Sequence, residues 1–250
     1  MIPKIIHYCW FGKAPLPKLT KQCIRSWKKH CPDFEIKEWN ETNSPLHLFP
    51  FAQQALEEKK WAFVADVIRL YALYTEGGIY LDTDVELLKP LTPFLHHQAF
   101  IGYEKGYEKY GKWTILTALI GSEAHGEWIT SWLKMYENKT FSAEQIRDFI
   151  NSTLIADDIR KKGFRLDGSL TSLPGLTIYP TDYFSPMDYN THIITLTPNT
   201  VAIHYFSYTW MEASNTWQYR LRKLLIDLLG EKAFRKLVNG VRKLLGLRKE

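Results

Sequence analysis

Hydrophobic positions along the first half of this chain switch back and forth between two periods. Residues 33–39, Asp33-Phe34-Glu35-Ile36-Lys37-Glu38-Trp39, alternate polar and apolar, the period of a half-buried strand. Residues 2–8 predict an opening strand with Pro3 at its start. Between the two, past the break at Pro15-Leu16-Pro17, residues 19–29 carry the spacing of an amphipathic helix, and another helix is expected over residues 52–60. Residues 61–76 are apolar most of the way round a helix, so that helix is buried, and Gly77 supplies its stop. Residues 79–81 then read as a core strand. Further on, 99–103 and 115–120 predict strands, 127–136 and 143–161 helices, and 176–206 short strands between Pro-marked turns. Alternating strands and helices predict an α/β fold with a largely parallel sheet. Residues 102–111 form a self-similar, glycine-punctuated loop, either a mobile lid or an ordinary hairpin tip.

The bulk numbers narrow the class. A chain of 250 residues with 45% apolar composition is enough for one α/β domain with a full core or for two small ones. Three cysteines, Cys9, Cys23 and Cys31, are an odd number without a Cys-x-x-Cys spacing, which fits a reducing compartment and excludes a Cys-rich zinc site. The amino terminus lacks the basic start and apolar run of a signal peptide, and no stretch reaches the ~18 apolar residues of a membrane span. A cytoplasmic protein, free or held peripherally, is therefore expected. Asn40, Asn138 and Asn151 each start an Asn-x-Ser/Thr triplet, which carries no meaning without secretion.

The net charge of +5 is uneven: residues 219–250 hold ten Lys/Arg against three Asp/Glu. There Leu221, Leu224, Leu225, Leu228 and Leu229 fall at helical spacing among basic residues, a basic amphipathic pattern. The parse is a catalytic domain over 1–218 and a helical extension over 219–250, which either lies on an anionic membrane or caps the domain. No nucleic-acid-reading module accompanies the charge, so nucleic acid is not an expected partner.

The chemistry is concentrated in Gly77-Gly78-Ile79-Tyr80-Leu81-Asp82-Thr83-Asp84. Two carboxylates two residues apart at the carboxyl end of a strand face one way and form a platform for a hard cation and the phosphates it carries. Asp66 and Arg69, three apart on the buried helix, share a face, and a charged pair there needs mutual pairing or a ligand.

Ile2-Pro3-Lys4-Ile5-Ile6-His7-Tyr8-Cys9-Trp10-Phe11-Gly12, the run from Ala65 through Asp66 and Arg69 to Tyr74, the stretch Gly77 to Val85, and Ile203-His204-Tyr205-Phe206-Ser207 with Trp210 together resemble the DXD-containing sugar transferases, the family 32 type of glycosyltransferase. The likeness covers most of residues 1–210. It implies a GT-A type fold with a mainly parallel central sheet, and transfer of a hexose from a nucleotide-sugar, a UDP-sugar favoured, with retention. The acceptor would be a glycan or a lipid-linked glycan in surface polysaccharide synthesis. It further implies Mn²⁺ (or Mg²⁺) held by Asp82 and Asp84, with His204 as third ligand. Asp66 and Arg69 would hold donor-sugar hydroxyls, and Tyr80 would line the site. His7 and Trp10 would flank the base, and Ser207 and Trp210 would close over the diphosphate. Acceptor contacts are expected from the 103–111 loop and the 176–190 region. Two other readings stay open: a haloacid-dehalogenase-like phosphatase, which also uses Asp-x-Asp after an apolar strand, and a non-catalytic, membrane-associated transferase-like subunit. His30, His47, His96, His97, His125 and His192 have no motif around them and read as surface or structural.

Overall fold

The computed structural model describes residues 1–106, 113–189, 191–207, 224–225, 228–230 and 233–234. Within the described residues the predicted elements form with small shifts at their ends, except the helix expected over 143–161. In chain order they are β1 (Ile5–Cys9), α1 (Lys18–His30), β2 (Glu35–Trp39), α2 (Pro50–Glu57), α3 (Trp61–Glu76), β3 (Gly78–Leu81), β4 (Val85–Leu87), β5 (Ala99–Glu104), β6 (Thr114–Ser122) and α4 (Glu127–Lys134). Then come α5 (Asn151–Lys161), β7 (Thr171–Leu173), β8 (Leu176–Tyr179), α6 (Thr181–Phe184) and β9 (Ala202–His204).

Seven strands make one sheet in the order β2-β1-β3-β6-β5-β8-β7. β1 runs parallel to β2 and β3, and β5 runs parallel to β8. The β3–β6, β5–β6 and β7–β8 pairs are antiparallel. The sheet is thus mixed, which corrects the expectation of a mainly parallel one. The reason is local: the connection from β5 to β6 is too short for a crossover, so the two fold back as antiparallel neighbours. β6 then inserts between β3 and β5, where a parallel strand was expected.

Alternation along β3 splits its side chains between two cores. Tyr80 joins the cluster of Phe51, Val64, Val67, Ile68 and Trp132 under α2, α3 and α4. Ile79 and Leu81 join Ile6, Trp27 and Phe100 on the α1 face. The next residue on Tyr80's side is Asp82, so the strand aims that carboxylate toward α3. The three cysteines are buried and unbridged.

The helix expected over 143–161 is broken. Ala143–Phe149 forms 3₁₀ turns, Ile150 is extended (φ −64°, ψ 110°), and α5 starts at Asn151. Phe149 packs on Phe51 and Phe141, which holds the turn in place. β4 leaves the main sheet and pairs antiparallel with β9, opposing Val85 to His204. Among the described residues no helix is long and apolar enough to cross a membrane. In the 219–250 extension, Leu224, Leu228 and Leu229 are exposed and Phe234 is buried; apart from Leu225, Gly230 and Ala233, the rest of that segment lies outside the described residues.

Candidate active site

Helix α3 ends on Gly77, whose N–H bonds the Leu73 carbonyl and whose φ of 65° lies in the left-handed region. Gly78 follows at φ 108°. A Cβ on Gly77 would stand 2.7 Å from the Ala124 nitrogen, and one on Gly78 would stand 2.7 Å from the Ile5 carbonyl oxygen. No side chain fits at either place. The two glycines therefore set α3 tightly against β3 and bring Asp66 and Arg69 beside the end of the strand.

Arg69, 4% exposed, is the centre of this contact. Its Nη2 lies 3.0 Å from Asp66 Oδ1 and 3.2 Å from Asp82 Oδ1. Its Nη1 donates to the Thr117 carbonyl on β6 at 2.7 Å. The guanidinium also lies 4.7 Å from the centre of the Tyr80 ring. Tyr80 Oη donates to Asp82 Oδ1 at 2.8 Å. Burial opposes the Arg69 charge, and Asp82, Tyr80 and Asp66 together outweigh it. Burial pushes the Asp66 carboxyl up to about 6, with Arg69 holding it back in part. Among the described residues no hydrogen bond engages Oδ2 of Asp82.

Asp84, 8% exposed, is held from the other side by the chain beyond β9. The Ser207 N–H donates to its Oδ2 at 2.8 Å, and the Tyr205 N–H donates to its carbonyl at 3.1 Å. His204 Nε2 lies 3.5 Å from its Oδ1. Burial alone would raise the Asp84 carboxyl, but the His204 charge and the bonds from His204 and Ser207 bring it down to about 2. His204 is raised in turn: burial opposes its charge, and Asp84, Asp82 and Glu104 overcome that. One ligand atom each from Asp82, Asp84 and His204 lie within 4.8 Å of one another. Two carboxylates and an imidazole at that spacing suit a divalent cation of the Mg²⁺ or Mn²⁺ kind.

These groups open into one cleft of about 450 Å³, which Trp10, Phe11, Trp61, Tyr80, Phe206 and Ser207 also line. Of the residues expected from sequence, the fold brings Asp66, Arg69, Tyr80, Asp82, Asp84, His204, Trp10 and Ser207 to it. His7 is the exception and is corrected here: it does not line the cleft. Its Nδ1 accepts from Trp39 Nε1 at 3.0 Å and its Nε2–H donates to the Gly77 carbonyl at 2.7 Å. Both ring nitrogens are spent on packing β1 against β2 and the glycine turn, and burial lowers the ring's basicity. Trp210 and the middle of the 102–111 loop (107–112) lie outside the described residues.

Two residues of the cleft were missed in the sequence. Glu104 ends β5, and burial pushes its carboxyl up to about 7, with His204 lowering and Asp82 raising it. Asn151, 3% exposed, opens α5 and donates weakly to the Asp66 carbonyl at 3.4 Å, while its Oδ1 is buried without a partner. A lone acid at the end of the apolar run Ala99–Tyr103 was the available signal for Glu104. Asn151 showed only as the head of an Asn-x-Ser/Thr triplet.

Known proteins agree with this geometry. The fold is similar to a solved structure, the PaToxG glycosyltransferase, at a TM-score of 0.52 and 18% identity, covering 64% of this chain and 70% of that one. The α/β architecture with its mixed sheet is accordingly that of the GT-A glycosyltransferases. Residues 17–101 match the family described as the glycosyltransferase sugar-binding region containing the DXD motif. The inositol phosphoceramide mannosyltransferase 3 of Schizosaccharomyces pombe is 32% identical over 115 residues, 40% of this chain and 29% of that protein. The glucan organizing enzyme 1 of Cryptococcus neoformans is 34% identical over 83 residues, 32% of this chain and 23% of that protein. The matched segments thus span less than a third of either relative. The segment that matches this family contains Asp82-Thr83-Asp84, an Asp-x-Asp of the kind the family is described by.

Proposed function

We propose that this protein is a metal-dependent glycosyltransferase that moves a hexose from a nucleotide-sugar to a glycan or lipid-linked acceptor, with retention of anomeric configuration. The observation that carries the reading is the meeting of Asp82, Asp84 and His204 within 4.8 Å, directly beside the buried Arg69 with its Asp66 partner. Asp82, Asp84 and His204 would hold a divalent cation, Mn²⁺ or Mg²⁺, which would supply positive charge to offset that on the departing diphosphate. The imidazole in the set favours Mn²⁺.

The chain's own residues do the rest. Tyr80 and Arg69 hold Asp82 in one orientation, and the Ser207 N–H does the same for Asp84. Asp66, facing the cleft beside a fixed guanidinium, accepts from donor-sugar hydroxyls, and such buried polar recognition discriminates sharply among sugars. Trp10 has its Nε1 tied to the Ala14 carbonyl at 2.7 Å and presents a held indole face for a base. The S. pombe relative's name puts mannose first among the hexoses to test, and a lipid acceptor beside the glycan one. Surface polysaccharide synthesis is the pathway we favour. The catalytic unit is residues 1–218, and the basic extension 219–250 would place it at an anionic membrane face.

The test is binding and slow hydrolysis of a panel of UDP- and GDP-sugars with Mn²⁺, with Mg²⁺ and with chelator. One donor bound and hydrolysed only with metal is the expected result. Phosphatase activity without nucleotide dependence, or no metal-dependent binding at all, would overturn the reading.

A further inference from the structure

The cleft has a second wall, which meets the donor groups at Phe206, whose ring lies 4.1 Å from that of His204. Glu104 ends β5 and faces the cleft, as do Tyr189 and Phe206. The three come from distant parts of the chain and are tied together. The Tyr189 N–H donates to the Lys105 carbonyl at 3.1 Å, and Lys105 Nζ donates to the Pro186 carbonyl at 3.2 Å. The Tyr189 ring stands edge-on to Phe206, centroids 5.3 Å apart. The 186–189 segment is therefore fastened to the end of β5, and its tyrosine lines the same cleft as Glu104.

The sheet order says what this wall is for. β1, which delivers Trp10, lies on one side of β3, and β5, which delivers Glu104, lies on the other with β6 between. Along the top of the sheet the sequence of groups is an indole, the aspartate pair, the Arg69-bonded carbonyl of Thr117, and then Glu104. A nucleotide-sugar runs base, diphosphate, sugar along such a row, and with retention the incoming hydroxyl joins the face that the diphosphate leaves, on the side of the metal group, within whose electrostatic reach Glu104 lies. Two strand steps, about 10 Å, separate Glu104's strand from that of Asp82, room for a sugar between them. Among the described residues Glu104 makes no ion pair, although it lies within electrostatic reach of His204 and Asp82. A half-buried carboxylate and an aromatic ring facing one cleft suit a sugar ring, with hydroxyls on the acid and the apolar face on the ring.

We propose that Glu104, with Tyr189 and Phe206, forms the acceptor subsite and takes a hexopyranose ring, one hydroxyl donating to the Glu104 carboxylate and one face lying on Tyr189. The assignment rests on the glycosyltransferase reading above. It is a binding role and leaves the donor site to the α3 pair and the aspartates.

The experiment measures Mn²⁺-dependent donor affinity and transfer kinetics for the wild type, Glu104→Gln and Tyr189→Leu. The donor is the one selected by the panel, and the acceptor probes are methyl α- and β-glycosides of mannose, glucose and galactose. Donor Kd should stay within about twofold in both variants, while acceptor KM rises about tenfold or more with the loss of a charge-assisted hydrogen bond. Unchanged acceptor KM in both variants would overturn the subsite. So would a loss of donor affinity as large as the loss in transfer, or no methyl glycoside serving as acceptor for the wild type. A wild type that binds no nucleotide-sugar with metal would instead defeat the glycosyltransferase reading, and this assignment with it.

Discussion

The backbone N–H of Ser207 donates a 2.8 Å hydrogen bond to Oδ2 of Asp84, 123 positions earlier in the chain. The bond locks the second aspartate of the motif and brings the end of β9, with His204, against it. A backbone donor serves here in place of a side chain. The motif is thus held by two separate devices: Arg69 and Tyr80 for Asp82, and the β4–β9 ribbon for Asp84.

Asp84→Asn removes a negative ligand but keeps the shape that Ser207 grips. Metal-dependent donor binding should be lost, and turnover should fall by roughly 100-fold or more, the scale of removing a group that stabilises developing charge. Titration of Mn²⁺ followed by kinetics checks it, and unaltered turnover would remove Asp84 from the metal group.

Arg69→Ala leaves Asp66, Asp82 and the Thr117 carbonyl without their shared donor. Breaking a buried pair in this way costs about 3–5 kcal/mol, so the variant should melt well below the wild type and bind no donor. Arg69→Lys should rescue little, because an ammonium cannot reproduce the planar fork that reaches all three. Full activity and donor selectivity in Arg69→Ala would end the sugar-clamp role.

Asp66 gives a pH signature. Its folded value of about 6 lies above the ordinary aspartate value of 3.8, so the folded state binds a proton there that the unfolded state releases. Its contribution to stability is fully present below the unfolded value and is lost as pH rises through about 6. Asp66→Asn abolishes that dependence. Thermal melts should therefore show the wild type gaining stability relative to Asp66→Asn as pH falls from 7 to 4, by a total of about 3 kcal/mol at most. A flat difference across that window would contradict the burial-driven shift.

His7→Ala should separate packing from donor binding. Trp39 Nε1 and the Gly77 carbonyl lose their partner, which costs about 1–3 kcal/mol. Donor preference across the nucleotide-sugar panel should not change. A changed preference for the base would return His7 to the donor site.

Gly78→Ala should fail at the junction of α3 and β3. The residue sits at φ 108°, and a Cβ there meets the Ile5 carbonyl oxygen at 2.7 Å. Strained backbone of this sort costs about 1–3 kcal/mol before the clash is counted. Chemical denaturation should show the loss, together with weakened Mn²⁺ binding because Asp82 is carried by the same strand.

Local pattern was enough for most of the elements and for the central motif. The apolar surround of Asp66 and Arg69, the glycine stop and the Asp-x-Asp all sit within residues 61–84, where 3.6- and 2-residue periods read directly as faces. His7 was misread because an imidazole at a strand end looks the same whether it faces a cleft or a neighbouring indole. Trp39, its partner, lies on another strand. The sheet was expected to be mainly parallel because, although the hairpin reading of residues 102–111 already allowed the local β5–β6 antiparallel pair, β6 entering between β3 and β5 is a long-range choice.

What the sequence by itself determined is the α3–glycine–β3 unit, the aspartate pair and the family resemblance they carry, since each rests on spacing within a few residues. Only the tertiary structure decided that His204 and Ser207 reach Asp84, that Arg69 joins both Asp66 and Asp82, and that Glu104, Asn151 and Tyr189 share one cleft. The physical reason is that side-chain periodicity reports which face a residue takes within its own element, whereas the meeting of faces is set by packing among elements far apart in the chain.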